Sequence, residues 1–377
     1  MVDGFINFNL NEKTPTIIKV IGVGGGGGNA VEYMYDKGIC DVDFVICNTD
    51  YQALQNSPIP YKIQLGKELT QGHGAGNNPS MGEKSAQESL DDIEALLRKD
   101  TKMAFITAAM GGGTGTGAAP VIAKLSKDMG ILTVGIVSVP ARFEGPKRLD
   151  QARDGLKKLK DQVDCLIVID NEKIKSIYGS QTISAAFAKA NDVLNIAAKG
   201  IAEIITLPGY INVDFADVRT VMTDSGVAIM GAAQASGEDR AIRAVTDALE
   251  SPLLNNNDIL GAKDILLNIT SGTDEITMDE MSQITSHIIR KVGNNAAVIW
   301  GVGTDLNLGN AISVTIIATG FPTGDVELFG LETASDGVCQ PAVLKEEEVV
   351  VKPGLPMSKI RELEGVPAFE RRDLKIN

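Results

Sequence analysis

The first half of the chain alternates short apolar runs with longer stretches in which apolar residues recur every three or four positions. The short runs are typical of buried strands, and the longer stretches are typical of helices with one apolar face. The predicted strands are Ile17–Val23, Asp43–Cys47, Met103–Ala109, Leu132–Val139 and Cys165–Ile169. Predicted helices include Ser85–Arg98 and the helix that follows Pro146. This alternation predicts a mostly parallel sheet with helices on both faces.

A long apolar stretch introduces the second half of the chain. Ser184–Thr206 is apolar nearly all round, so we expect a buried helix that acts as a strut between two domains. The sequence Leu207-Pro208-Gly209 would end that helix. Beyond it the pattern predicts a smaller α+β or α/β unit. Its helices are expected at Phe215–Met222, Gly237–Glu250 and Asp279–Val292. Its strands are expected at Asp264–Thr270, Ala296–Gly301 and Ile312–Ala318.

These patterns divide the chain into six segments. An acidic, aperiodic stretch follows Phe321, which is typical of a flexible tether, and a short segment with apolar residues and arginines follows that stretch. The predicted segments are a flexible N-terminal segment (1–14), an α/β domain (15–183), a central helix (184–206), a second domain (207–320), an acidic flexible linker (321–358) and a terminal peptide that folds on a partner (359–377).

Composition narrows the class of protein. Of the 377 residues, 44% are hydrophobic and 22% are charged, as in ordinary globular proteins. The formal net charge of −14 leaves no basic stripe for a nucleic acid, so no nucleic-acid partner is expected. No apolar stretch approaches the ~20 residues of a membrane span, and the cysteines have neither metal nor disulfide spacing. We therefore expect a cytoplasmic protein without membrane insertion.

Two glycine runs follow predicted strands and precede predicted helices. Gly24–Gly28 follows the first strand, and Gly111–Gly117 (GGGTGTG) follows Met103–Ala109. A strand that turns through glycines into a helix leaves backbone N–H groups without partners, and threonine hydroxyls add donors. Both runs therefore indicate phosphate binding. Neither contains the lysine of the common P-loop pattern.

Other interpretations of these runs are weaker. Gly22, Gly24 and Gly27 satisfy the G-x-G-x-x-G pattern of dinucleotide-binding dehydrogenases, and Asp50 would be the acid that holds a ribose. A dehydrogenase has no use for a second glycine loop, however, because its phosphates already lie on the first helix. Tight turns alone rarely need five consecutive glycines.

Five motifs in order resemble the tubulin/FtsZ family of GTPases, in its bacterial cell-division branch. They are IGVGGGGGNAV (Ile21–Val31), GGGTGTG (Gly111–Gly117), FEGPKR (Phe143–Arg148), AFAKANDVL (Ala186–Leu194) and NVDFADVRTVM (Asn212–Met222). The similarity runs from about Ile17 to Gly320 and resumes near the end of the chain. It implies a tubulin-like fold in which a Rossmann-type GTP-binding domain is joined by the central helix to a smaller GTPase-activating domain, with a disordered C-terminal tail.

The resemblance implies a site for GTP and GDP. Glu144 and Arg148 would meet the ribose, although spacing alone favours an ion pair between them. Phe187 and Asn191 lie four apart on one helix face, where the ring would stack on the base, although without the resemblance ordinary packing would be the favoured explanation of Phe187. Asn29 and Asp192 would recognise guanine. The residues expected to cradle the phosphates are Gly25, Gly26, Gly27, Gly28, Gly111, Gly112, Gly113, Thr114, Gly115, Thr116 and Gly117.

Hydrolysis requires a group that orients water, and neither glycine run contains a carboxylate, histidine or lysine. The resemblance implies that Asn212, Asp214 and Asp217 of the next subunit supply it. Helix capping is a common alternative role for such residues at a helix start. A site completed by the next molecule couples hydrolysis to head-to-tail filament formation. Mg²⁺ would accompany the nucleotide on phosphates and water, with no direct protein ligand.

The end of the chain resembles the family's docking peptide for membrane-tethering and regulatory division proteins. Val366-Pro367-Ala368-Phe369 would be its anchor, and Gly365 and Glu370 depart from the family pattern. The resemblance implies a protein of the division ring, or Z ring, placed at mid-cell during septation. A structural filament protein whose nucleotide turnover is incidental is the competing class.

Overall fold

The computed structural model describes residues 16–98, 100–206, 209–211, 213–250, 259–293 and 296–321. All of them lie in one compact unit, Met1–Leu331. The predicted N-terminal segment, the docking peptide and all but the first residue of the linker therefore lie outside the described residues, as does Asn212. No helix among the described residues is both long and apolar enough to cross a bilayer.

A seven-stranded parallel sheet forms the first half of this unit. Its strand order is β3-β2-β1-β4-β5-β6-β7. The strands are β1 Ile18–Val23, β2 Val42–Asn48, β3 Tyr61–Gln64, β4 Met103–Ala109, β5 Leu132–Val139, β6 Cys165–Asp170 and β7 Gly226–Val227. The helices up to this last strand are α1 Gly24–Asp36, α2 Tyr51–Asn56, α3 Lys67–Thr70, α4 Pro79–Glu88, α5 Leu90–Leu97, α6 Thr114–Asp128, α7 Pro146–Lys160, α8 Asn171–Tyr178, α9 Ile183–Thr206 and α10 Phe215–Met222.

Both faces of this sheet are buried, as the apolar runs predicted. Successive residues of a strand point to opposite faces. Ile18 and Val20 accordingly belong to one hydrophobic core, and Ile21 and Val23 to the other. The five predicted strands are confirmed to within one residue at each end. The exposed faces of the covering helices carry the polar positions.

The prediction of a single helix over Ser85–Arg98 is wrong, because α4 ends at Glu88 and α5 begins at Leu90. Between them Ser89 leaves the helical conformation. Its hydroxyl accepts a hydrogen bond from the Gly66 amide at 3.1 Å and lies 3.4 Å from the Gln64 carbonyl. Serine can satisfy neighbouring backbone groups in this way, in competition with the helix ladder.

The long helix is present as α9, but the expectation that it is buried throughout is wrong for its first half. Ile183 is 77% exposed and Phe187 is 46% exposed, whereas the helix is well buried from Ala190 onward. A Cβ added at Gly200 would lie 2.9 Å from Thr315 Cγ2, so the second half packs closely on the second sheet. The first half is left to form the wall of a cavity described below.

A mixed four-stranded sheet forms the second half, with strand order β10-β9-β11-β8. Strands β9 and β10 are parallel, and β11 runs antiparallel to both of its neighbours. Its strands are β8 Ile229–Ser236, β9 Asp264–Ser271, β10 Ala297–Thr304 and β11 Ala311–Thr319, and its helices are α11 Arg240–Leu249 and α12 Met278–Val292. Strand β8 was not predicted, because its small residues (IMGAAQAS) lack the β-branched and aromatic side chains typical of strands.

The two sheets follow each other closely in the sequence. Strand β7, which lies beyond the predicted domain start at residue 207, pairs with β6 as the edge of the first sheet. After Ala228 the next strand, β8, already belongs to the second sheet. Helix α10 therefore lies between α9 and β7, just before the chain crosses from the first sheet to the second.

Candidate nucleotide-binding site

A cavity of about 420 Å³ lies beyond the carboxyl ends of β1, β4 and β5, which is where ligands bind in open parallel sheets. The starts of α1 and α6 form its floor, and α9 forms one wall. Many of the predicted nucleotide-binding residues line it. They are Gly25, Gly26, Asn29, Gly112, Gly113, Thr114, Gly115, Glu144, Arg148, Phe187 and Asn191.

Helices α1 and α6 begin inside the glycine runs rather than after them. The residue before each helix, Val23 for α1 and Gly113 for α6, makes no side-chain hydrogen bond to the helix start, and neither first turn contains an acid. Their first N–H groups therefore remain available to a ligand, and the helix dipoles add positive potential there. Two uncapped helix starts facing one cavity are suited to several phosphate groups.

The glycines allow these helix starts to meet. Gly24 has φ of +73°, and a Cβ on it would lie 2.9 Å from the Gly115 amide nitrogen. A Cβ on Gly115 would lie 2.7 Å from the Ala109 carbonyl oxygen, and one on Gly26 would collide with Ala109 Cβ. Side chains at these positions would drive α1 away from β4 and α6. The run of glycines is thus a requirement of packing as well as of ligand approach.

The two threonines of GGGTGTG have different surroundings. Thr114 lines the cavity, and its hydroxyl shares a hydrogen bond of 2.7 Å with the buried Thr49 hydroxyl. Thr116 is buried away from the cavity, where its hydroxyl accepts a hydrogen bond of 2.8 Å from the Gly111 amide. Thr116 thus holds the glycine loop in shape, whereas Thr114 faces the space that a ligand would fill.

Some predicted phosphate-binding residues do not line the cavity. A Cβ on Gly27 would collide with the Thr107 carbonyl of β4, and one on Gly117 would collide with the Pro79 carbonyl of α4. These two glycines permit close packing between elements. The predicted residues outside the lining are Gly27, Gly28, Gly111, Thr116, Gly117 and Asp192.

Glu144 and Arg148 stand together at the cavity rim. Glu144 Oε2 accepts a hydrogen bond of 2.7 Å from Arg148 Nη1, so the ion pair considered from their spacing is present. Glu144 Oε1 accepts from the Ala141 amide at 3.0 Å. Glu144 lies in a short 3₁₀ turn, Arg142–Glu144, just before α7. Both oxygens of this carboxylate are therefore already engaged.

Helix α9 presents Phe187 and Asn191 to the cavity, and α1 presents Asn29. Asp192, one position further along α9, accepts a hydrogen bond of 3.2 Å from the Tyr33 hydroxyl of α1. This bond connects the two helices that flank the space.

Asn171, the first residue of α8, is a site residue that was not predicted from the sequence. Asn171 lines the cavity, and its Oδ1 is buried without a partner among the described residues. Asp170 caps α8 by accepting from the Glu172 amide at 2.8 Å, and burial raises the pKa of Asp170 although that hydrogen bond lowers it. A polar residue directly after a predicted strand was the available signal, but asparagine is equally common in turns.

The start of α10 has the opposite character to the starts of α1 and α6. Asp214 is the residue before the helix, and its Oδ1 accepts from the Asp217 amide at 2.9 Å. The capping role considered from the sequence is therefore confirmed. Both carboxylates are exposed, and neither lines the cavity of its own chain.

The described residues contain no group of three or more His, Cys, Asp or Glu side chains placed to hold a metal ion. Among the described residues, the cavity lining includes no histidine or lysine, and its one carboxylate is the ion-paired Glu144. Donors for an anion are thus abundant in the cavity, whereas groups that would activate water are not.

This fold and site define a nucleotide-binding α/β protein that holds phosphates on helix starts and glycine-rich backbone. Residues 17–179 match the tubulin/FtsZ family, GTPase domain, and residues 226–322 match the FtsZ family, C-terminal domain. The chain belongs to the tubulin/FtsZ family and carries its GTPase domain. The dehydrogenase interpretation is therefore wrong.

Curated relatives and solved structures agree with this assignment. The cell division protein FtsZ of Porphyromonas gingivalis is 48% identical over 324 residues, which cover 85% of this chain and 71% of the relative. The cell division protein FtsZ of Buchnera aphidicola is 50% identical over 308 residues, covering 81% of this chain and 80% of the relative. A solved empty FtsZ dimer from M. jannaschii superposes with a TM-score of 0.76 at 42% identity, covering 82% of this chain and 90% of that one.

Proposed function

We propose that this chain is a self-assembling cytoskeletal GTPase of the bacterial division ring. GTP bound by one subunit is hydrolysed to GDP and phosphate when Asp214 and Asp217 of the next subunit complete the site. One observation carries this proposal: the cavity offers many anion donors but no available base, while two exposed carboxylates stand at a helix start elsewhere on the same chain. Because the anion donors and the carboxylates lie on different surfaces of the chain, a second copy is needed to bring them together.

Within the cavity the phosphates lie on the starts of α1 and α6, against Gly25, Gly26, Gly112–Gly115 and the Thr114 hydroxyl. The ribose lies near Glu144 and Arg148, and the base lies along α9. Guanine is selected by Asn29 and by Asp192, which lies outside the lining beside Asn191 and keeps one carboxylate oxygen beyond its hydrogen bond from Tyr33. A carboxylate can accept hydrogen bonds from both the ring N–H and the exocyclic amine. Asn171 adds a buried acceptor that has no partner among the described residues.

Mg²⁺ would accompany the nucleotide, held by phosphate oxygens and water. The donor set fits this arrangement, because the lining offers the Thr114 hydroxyl rather than a carboxylate cage. When bound, the cation would neutralise phosphate charge. The protein's own contribution is to position the phosphates on fixed N–H groups and to exclude alternative geometries.

Head-to-tail contact between copies produces an open filament, because the nucleotide surface of one subunit meets the α10 surface of the next. A dimer solved for the M. jannaschii relative supports self-association. Asn212, beside the acids in sequence, is proposed to share their role. The tail residues Val366-Pro367-Ala368-Phe369 are proposed to dock membrane-tethering and regulatory division proteins, which would place the cytoplasmic filament at mid-cell.

The proposal is tested by GTP turnover measured against protein concentration. A site shared between subunits predicts almost no turnover below a threshold concentration and a steep rise above it, in step with sedimentable polymer. Turnover strictly proportional to protein down to dilute solution would show that one subunit suffices. A filament scaffold with incidental turnover is distinguished by replacing Asp214 and following cell division, because a scaffold would still support septation.

A further inference from the structure

Helix α6 runs from the nucleotide cavity to the end of α10, the helix whose first turn carries the proposed catalytic acids. Its first residue, Thr114, lines the cavity. Its 15 residues span about 22 Å. Lys127, in the last turn, therefore lies far from the cavity, toward the edge of the first sheet where the strands begin. The contacts made at that far end involve α10 and the residues that follow it.

Lys127 is the centre of these contacts. Its Nζ donates to Asp224 Oδ1 at 2.7 Å and to the Val163 carbonyl at 3.3 Å, and it lies 3.5 Å from Asp164 Oδ1. A second tie runs from α10 itself, where Arg219 Nη2 donates to the Gly130 carbonyl at 3.3 Å. The Lys127 ammonium thus joins three parts of the chain: α6, residues Val163 and Asp164 before β6, and Asp224, which follows α10.

The backbone after α10 is held at the same place. Asp224 lies directly after the α10 C-cap, Thr223, in the left-handed region with φ of +48°. The Gly226 amide donates to the Asp164 carbonyl at 3.1 Å, and β7 follows at the sheet edge. The end of α10 is therefore anchored to the nucleotide-binding half, while the Asp214 and Asp217 side chains at its beginning are exposed.

We propose that Lys127 is a positioning residue for GTP hydrolysis, which holds Asp224 and Asp164 together and so sets where Asp214 and Asp217 stand against the nucleotide of the next subunit. This inference rests on the proposed function. Lys127 lies outside the cavity lining and acts through α10. A helix of 8 residues transmits a tilt at its last turn to its first turn, because its backbone hydrogen bonds keep it rigid.

The anchor is suited to a positioning role rather than to general stability. Asp224 is 73% exposed, and exposed ion pairs contribute little to folding. Burial lowers the pKa of Lys127, but the hydrogen bond to Asp224 and the charges of Asp164 and Asp224 raise it overall, so the cation persists at neutral pH. The Asp164 carboxylate keeps a second partner, the Thr133 amide at 2.9 Å, when Lys127 is replaced.

The first test compares Lys127→Met and Asp224→Asn with Lys124→Met. Asparagine tolerates the left-handed φ at position 224, and Lys124 is an exposed lysine one turn earlier on α6. Both anchor variants should lower GTP turnover per sedimented subunit about tenfold, because small misplacements of catalytic groups are costly. GTP affinity, measured by equilibrium dialysis, should not change. Lys127→Arg should restore most turnover, and Lys124→Met should match the parent protein. Turnover that falls only in proportion to lost polymer would overturn the inference.

A mixing experiment decides which surface of the variant is defective. Asp214→Asn subunits keep an intact nucleotide surface and lose the α10 surface, so excess Asp214→Asn should rescue any variant whose nucleotide surface alone is damaged. Gly112→Asp is such a control, because Gly112 lines the cavity with open space for a side chain and a carboxylate there repels phosphate. Lys127→Met should gain no turnover from the mixture.

The outcomes separate the two proposals. Rescue of Gly112→Asp but not of Lys127→Met supports both. Rescue of both variants would show that Lys127 serves the nucleotide surface and would overturn the positioning role while leaving the shared site intact. Failure to rescue Gly112→Asp would contradict the shared site itself.

Discussion

The start of α6 and the start of α10 treat their first N–H groups in opposite ways. Helix α6 begins without a side-chain cap or an acid in its first turn, deep beside β1 and β4. Helix α10 begins with the capping carboxylate of Asp214 and has Asp217 in its first turn, and both of these side chains are exposed. The first start leaves N–H donors for an outside anion, whereas the second satisfies its own donors and presents negative charge. Under the proposed function, the comparison teaches that binding is complete within one chain, whereas catalysis requires a second copy.

Replacing the acids of α10 should have the largest effect on this comparison. Asp214→Asn and Asp217→Asn should each lower GTP turnover by about a hundredfold or more, because a group that orients water is lost. Nucleotide affinity should stay at the parent level. Asparagine at 214 keeps the helix cap, so a change in folding is not expected. Asp214→Ala, which also loses the cap, separates the two roles in thermal unfolding. Undiminished turnover in either asparagine variant would remove that residue from catalysis.

Crowding the start of α1 tests the other side of the comparison. Gly26→Ala places a Cβ against Ala109 Cβ, so α1 must shift and GTP affinity should fall at least tenfold. Overpacking of this kind costs about 1–3 kcal/mol of folding stability. Gly28→Ala is the matched control, because its Cβ meets nothing within 4 Å on the same helix. Equal affinities for the two variants, measured by titration with a fluorescent nucleotide, would show that close packing of α1 is unimportant.

Replacing Asn171, which lines the cavity, tests the binding half of the comparison. Asn171→Leu removes a buried acceptor without a partner among the described residues, so the ligand-free protein should be as stable as the parent or slightly more stable. GTP affinity should nevertheless fall about fivefold to tenfold, equivalent to one hydrogen bond. Asn195→Leu supplies the control, since Asn195 Oδ1 is also buried without a partner there but lies outside the cavity lining. A loss of affinity in both variants would point to a general effect of α8 and α9 packing.

The second sheet should respond to acid without affecting nucleotide binding. The Arg240 guanidinium donates to Glu280 Oε1 at 2.7 Å and lowers the pKa of Glu280 below its ordinary value of 4.5, and the hydrogen bond to Thr277 adds to this effect. A lowered folded-state pKa stabilises the protein above pH 4.5, and this contribution is lost as the pH falls through the folded value. Glu280→Gln should cost about 2 kcal/mol at pH 7 and flatten the acid limb of thermal unfolding curves. An unchanged acid limb would contradict this assignment.

The sequence predicted the first sheet and the existence of the site well, for identifiable reasons. Strands buried on both faces are continuous apolar runs, and the carboxyl ends of parallel strands meet at one edge. The glycine runs therefore had to lie together. The break at Ser89, the exposed first half of α9 and the burial of Thr116 were not predictable in this way. Each depends on which neighbour a side chain contacts in the folded protein. Thr114 and Thr116, for example, are two positions apart on a helix and therefore point in different directions.

The sequence by itself determined a parallel α/β fold, a phosphate-binding edge and membership of the tubulin/FtsZ family, because apolar periodicity and glycine-rich motifs are local properties of the chain. Only the tertiary structure decided which glycines line the cavity and which allow helices to touch, that Asn171 joins the site, and that Lys127 connects α6 to the residues after α10. Those outcomes depend on contacts between residues far apart in the chain, and no local pattern specifies such distances.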